Sequence, residues 1–173
     1  MKERKKTDRP KIGKLETLMR AVVLLALLST AAMIFYFSSE VGVQSSATSA
    51  GVARFVLRLF GVDFDALSAA QISQIQFYVR KAAHFVEYSM LGFFLHLFIS
   101  FFVQRRFPSF LLSELLGALY AVTDEYHQLL VGTRGAQWKD VGLDSAGVCF
   151  GAFLALLILL VHARKCRRSK RSP

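Results

Sequence analysis

Four apolar runs, each long enough to cross a lipid bilayer, constrain this chain more than any other feature. The first is Ala21 to Phe37, broken only by Ser29 and Thr30, and Leu15 to Met19 extend it. Ala82 to Val103, Phe110 to Val131 and Val141 to Val161 follow. A helix needs about 20 apolar residues to span the hydrocarbon of a membrane. Only helices and closed barrels satisfy their own backbone there. The periodicity and length predict an all-α membrane protein with four transmembrane helices, at about 21–37, 82–103, 110–131 and 141–161. A cleaved signal peptide is the rival for the first run. That run is long for a signal core, and the small residues Ala47 to Ala50 lie well past it, so a retained helix is expected.

Charge orients these spans. The net charge of +10 resembles a nucleic-acid signal until it is located. Residues 1–20 carry eight basic and three acidic side chains, and the tail 164–173 carries six basic ones and no acid. The segment between them is close to neutral, so the basicity belongs to two terminal tails flanking a membrane domain at 21–163. Positive-inside topology and attraction to anionic lipid explain that pattern. No basic, aromatic groove for nucleic acid is readable. Both tails and the turn at Arg105 and Arg106 go to the cytoplasmic side. The connection 38–79 and the turn 132–139 then face outward. The basic pair Arg80 and Lys81 opposes the rule mildly.

The outer connection holds short elements. Val52, Phe55, Val56, Leu59 and Phe60 recur at helical spacing with Arg54 and Arg58 opposite, and Gly61 follows. That is an amphipathic helix, either on the membrane surface or packed over the bundle. Ser68-Ala-Ala-Gln71 has the form of a capping box. The helix it opens is expected to run on into the second span, since no breaker intervenes. The two cysteines, Cys149 and Cys166, have neither disulfide nor metal-ligand spacing.

The ionisable residues inside the spans fall at one depth. The second span enters from outside carrying Arg80, Lys81, His84, Glu87 and Tyr88. The third leaves outward carrying Asp124, Glu125, His127 and Gln128. The fourth re-enters with Asp140 and Asp144, after the turn that holds Arg134. A charge at the bilayer centre costs about 2.5–3.5 kcal/mol on insertion scales. So many charges at one level must pair, bind an ion or line a wet cavity. Gly147-x-x-x-Gly151 and Gly117-x-x-x-Ala121 permit close helix approach around them. Taken singly, each group has a plainer reading. Arg80 and Lys81 can snorkel, Asp140 and Asp144 suit a helix start, and Trp138 suits an interfacial anchor. Glu114 is placed to pair with Arg105 or Arg106, and His96 reads as structural.

Arg80-Lys-Ala-Ala-His84-Phe-Val-Glu87-Tyr88 resembles the R-K-x-x-H-x-x-E-Y signature of the VanZ-like membrane proteins. Asp124-Glu125-Tyr-His127-Gln128, Arg134, Asp140, Asp144 and Gly147 are similar to that family's second block in order and spacing. Phe37-Ser38-Ser39 also matches the segment after the family's first span. Where the family often has Pro-Gly before the arginine, this chain has Gly132-Thr133. The resemblance covers about residues 20–160. It implies a multi-pass protein of the bacterial cytoplasmic membrane and cell envelope, in a family associated with resistance to teicoplanin. It supplies no reaction.

Three functions fit these residues. The first is binding or shielding of an amphipathic ligand at the outer leaflet, such as a lipid-linked wall precursor or a lipoglycopeptide. Arg80, Lys81 and Arg134 would meet its anionic groups. The second is an enzyme. His84, Glu87, Asp124, Glu125 and His127 are its candidate acid/base groups, and His84, Glu87, Asp124 and His127 offer N and O ligands to a divalent metal. The third is an ion-pair network that only fixes the bundle.

Overall fold

The computed structural model describes residues 13–39, 42–131 and 137–169. Among them it is helical, with no strand. Helix α1 is Lys14–Ser38 and α2 is Gly42–Leu59. A 3-10 turn at Phe64–Ala66 leads to α3, Ala69–Ser100. Helix α4 is Arg106–Val131 and α5 is Trp138–Ser169.

Local sequence explains the boundaries. Val62 N–H bonds to Leu57 O and Gly61 N–H to Arg58 O, a Schellman stop for α2. Its left-handed position falls to Gly61, the one described residue with positive φ. The capping box forms as expected. Ser68 Oγ accepts from Gln71 N–H, and Gln71 Oε1 accepts from Ser68 N–H at 2.9 Å. From that cap α3 runs unbroken for 32 residues. Pro108 occupies the first turn of α4, where a missing N–H leaves no bond unmade.

Helix α2 is longer than its apolar spacing predicted. Eighteen residues are helical, because the Ser- and Ala-containing stretch before Val52 holds no proline and the helix carries Gly51 through, although the stretch shows no apolar period. Ser49 and Ala53 are its buried residues, whereas Phe55, Leu59 and Phe60 are 65–77% exposed. Helix α2 packs on α3 and turns its large apolar side chains outward.

The most extensive interface joins α3 to α5, and glycines set it. A Cβ on Gly151 would lie 1.7 Å from Ser89 O, and one on Gly147 would lie 2.7 Å from Phe85 O. Gly92 does the same from the α3 side, at 2.1 Å from Val148 O. Gly117 of α4 meets the Val148 side chain. The backbones touch because nothing stands between them, which is how membrane helices gain packing without a hydrophobic drive. Ile34, Tyr88, Leu91, Ala121 and Val148, from four helices, form the core around this seam.

Among the described residues three helices, α1, α3 and α5, are long and apolar enough to cross a membrane. The sequence reading expected four. Helix α4 has the length, about 39 Å for its 26 residues. Arg106, Glu114, Asp124 and Glu125 keep it out of the apolar set. Glu114 also departs from its expected partner. Among the described residues no ion pair joins it to Arg105 or Arg106, and its Oε2 is buried without a hydrogen-bond partner. His96 is fully buried, with Nδ1 3.2 Å from Ser113 Oγ. The Ser113 hydroxyl donates to Ser109 O, so the imidazole N–H donates to Ser113. That bond ties α3 to α4, as a structural histidine would.

Candidate functional site

Helical spacing puts Lys81, His84 and Tyr88 on one stripe of α3, and Asp140 and Asp144 on one stripe of α5. The glycine seam holds these stripes face to face. Lys81 Nζ pairs with Asp140 Oδ1. One turn further in, His84 Nδ1 lies 3.8 Å from Asp144 Oδ1. Helix α4 supplies Asp124 to the same place. Ligand atoms of His84, Asp124 and Asp144 all lie within 4.8 Å of one another. Asp124 and Asp144 are 4% and 1% exposed, so two carboxylates and an imidazole meet in the protein interior.

Helix α1 completes the site. Its last residue, Ser38, is buried and donates to Asp124 Oδ2 at 2.8 Å. Gln128 Nε2 donates to the same oxygen at 3.1 Å and to Ser38 Oγ at 3.2 Å. One turn deeper, Tyr120 hydroxyl donates to Ala31 O at 2.7 Å, anchoring α4 to α1 a second time. Tyr88 is fully buried, and its ring lies 6.2 Å from that of Tyr120. Its hydroxyl has Asp124 and Asp144 as charged neighbours and makes no hydrogen bond of ordinary geometry. Asp144 Oδ2 is also buried without a partner.

The remaining residues named from the sequence distribute as follows. Glu125 is buried and accepts from Gln137 N–H at 3.2 Å, which ties the end of α4 to the start of α5. Arg80 and Glu87 are half-buried on α3. His127 does not join the cluster. Its ring lies tilted 4.4 Å from that of Phe35 of α1, and the carboxylates that meet His84 are Asp124 and Asp144. Residues 127 and 128 lie on opposite sides of the line through Asp124, since a step of three turns about 60° one way and a step of four about 40° the other. The bundle takes Gln128 inward and gives His127 to α1. Arg134 lies outside the described residues. Trp138 is 85% exposed at the start of α5, as an interfacial anchor would be.

Two contributors escaped the residue-by-residue reading. Ser38 stood out only through its place in the segment after the first span, because a serine at a helix end carries no charge signal. The second is a cleft of about 490 Å³ in the outer connection, lined by Arg54, Arg58, Phe64 and Asp65 among others. There Arg54 pairs with Asp65 at 2.8 Å and stacks over Phe64.

The Lys81–Asp140 pair is about one-quarter exposed on each side, between a surface bridge and a buried one. Surface pairs contribute about 0–1 kcal/mol, and breaking buried pairs costs about 3–5 kcal/mol. Lys81→Met is therefore expected to destabilise the bundle by about 2 kcal/mol. Lys81→Met combined with Asp140→Asn should cost less than the sum of the two. Thermal unfolding of the four proteins in detergent measures the coupling; strict additivity would show that the pair contributes nothing.

Chemically, the arrangement can hold a cation, store a proton or receive a basic group from a ligand. Comparisons with curated proteins and with solved structures return no match. The VanZ/LLP1 family model matches residues 22–160. With that match over most of its length, and with both sequence blocks facing each other across α3, α4 and α5, the chain belongs to the VanZ/LLP1 family.

Proposed function

We propose that this VanZ-like membrane protein binds or shields the polar end of an amphipathic envelope ligand at the outer face of the bacterial cytoplasmic membrane. The ligand class is a lipid-linked wall precursor or a lipoglycopeptide. In this reading residues 21–163 form the membrane domain, 1–20 and 164–173 are cytoplasmic tails, and 38–79 is the outer connection. Helix α4 crosses as the fourth span. Support comes from its surface, where Leu111, Leu115, Leu119 and Val122 are exposed while Asp124 and Glu125 turn inward. Its acids are hidden by protein, so composition alone understates its affinity for lipid.

The observation that carries the reading is the convergence of His84, Asp124 and Asp144 at the end of the bundle that the charge pattern turns outward. Within this cluster Asp144 Oδ2 is buried without a hydrogen-bond partner, so the site offers a ligand an acceptor. The basic side chains of the outer side, Lys81 and Arg58 among them, suit phosphate or carboxylate.

Binding of fluorescent teicoplanin to the protein in nanodiscs tests this. Glu87→Gln and Asp124→Asn are each expected to weaken binding by about tenfold, roughly 1.4 kcal/mol, near the low end of the range for a charged hydrogen bond. Equal affinity in wild type and both variants, all eluting as folded protein, would refute it. A second reading, acid–base hydrolysis or transfer on a lipid-linked substrate, draws on the His84–Asp144 pair. Turnover of a polyprenyl pyrophosphate by the purified protein distinguishes it from binding alone.

A further inference from the structure

We infer that His84, Asp124 and Asp144 form a site for one divalent transition-metal cation of the zinc or manganese type. The inference takes the cluster to be the working site of the proposed function and names what occupies it.

The charge balance favours a cation. The charged side chains acting on Asp144 are Asp124, Glu125, Asp140 and Lys81. With Asp144 itself, four carboxyl groups thus face one basic side chain among them, and that one, Lys81, is already paired with Asp140. Carboxylates this deeply buried are costly unless paired or bound to metal.

Geometry agrees with charge. Tetrahedral donors about 2.1 Å from a common ion lie about 3.4 Å apart. The three ligand atoms lie within 4.8 Å of one another, and His84 Nδ1 is 3.8 Å from Asp144 Oδ1, so side-chain shifts of about an ångström close them on an ion. The helices that carry them are locked by the glycine seam and by the Ser38–Asp124 bond, so the donor set is held before any ion arrives.

One unpartnered atom points independently to an occupant. Asp144 is 1% exposed, and its Oδ2 is buried without a hydrogen-bond partner. An ion uses that oxygen directly. Tyr88, fully buried beside Asp124, is placed to steady a coordinating carboxylate, as second-shell donors do. Ser38 and Gln128 already hold Asp124 in that manner.

The donor set selects the metal. One imidazole and two carboxylates suit zinc or manganese, whereas calcium and magnesium take oxygen alone. Three protein ligands leave positions open, for water or for a phosphate oxygen of an anionic headgroup. His127 is not a ligand here, because it packs on Phe35.

The test uses the full chain in nanodiscs, stripped with chelator and titrated with ZnCl2 and with MnCl2. Elemental analysis after desalting is expected to give one ion per chain, and the ion should raise the melting temperature. Asp144→Asn and His84→Gln should each weaken affinity by at least about tenfold. Glu16→Gln, near the opposite end of α1 from Ser38, should leave it unchanged. Co2+ in place of zinc should show visible d–d absorption that His84→Gln shifts, which keeps the test valid if one variant folds poorly. Wild type that retains no more metal than Asp144→Asn overturns the inference. If no ion is retained but teicoplanin still binds fully, the cation site fails and the outer-face reading stands. If one ion binds but teicoplanin does not, the cation site stands and the outer-face reading fails.

Discussion

Gly151→Ala is expected to disable this protein although it changes no charged residue. The added Cβ would lie 1.7 Å from Ser89 O and 2.9 Å from Phe93 N, both backbone atoms that cannot turn aside. Helices α3 and α5 must separate. Overpacking ordinarily costs about 1–3 kcal/mol, and a clash with main chain belongs at or above the top of that range. Both Lys81–Asp140 and His84–Asp144 bridge the same two helices. The separation therefore reaches the site, about two turns away. Gly92→Ala should behave alike, since its Cβ meets Val148 O at 2.1 Å. Thermal unfolding in detergent, read beside teicoplanin and zinc binding, measures both effects. Gly142→Ala is the control. Nothing lies within 4 Å of its Cβ, so it should gain the roughly 0.8–1 kcal/mol by which alanine exceeds glycine in a helix. Equal behaviour of Gly142→Ala and Gly151→Ala would show that the α3–α5 contact is looser than described.

Asp124→Ala is expected to loosen α1 and abolish ligand recognition together. It removes the acceptor of Ser38 Oγ and one acceptor of Gln128 Nε2. In a soluble core a hydrogen bond to a charged group contributes about 1.5–3 kcal/mol. Polar couplings between membrane helices average nearer 0.6 kcal/mol, because the separated helices find other partners. A loss of about 2 kcal/mol lies between these limits. The loss should be local, since α1 keeps the Tyr120–Ala31 bond one turn deeper. Hydrogen exchange should quicken over residues 34–38 and stay slow in α3 and α5. Uniform quickening would mean that Asp124 holds the whole bundle and not the end of α1. Asp124→Asn should spare most of the stability, since an amide oxygen still accepts from Ser38, while losing the charge that a cation needs.

The two variants separate what was legible in the residues from what was not. Gly147, Gly151 and Gly117 could be read as close-approach positions because small residues four apart form a ridge-free strip. Gly92 could not, since it lacks a small partner at that spacing and acts only against Val148 O. The capping box at Ser68 and the stop at Gly61 were readable because they depend on neighbours within a few residues. The onset of α2 was not, because Ser and Ala have no apolar rhythm.

Sequence by itself determined the helices, the apolar runs, the charged tails and the two blocks that mark the family. All of these follow from composition and from contacts within one or two turns. It also put Arg80, His84, Glu87 and Leu91 on one stripe with Lys81 and Tyr88 beside it, as helical periodicity allows. Only the tertiary structure decided how each helix rotates about its own axis. That rotation brought Gln128 to Asp124, sent His127 to Phe35 and delivered Ser38 from the far end of the chain. Helical spacing states which side chains share a face. Which face meets which is settled by the packing of all the helices at once, and here by glycines that let two backbones touch.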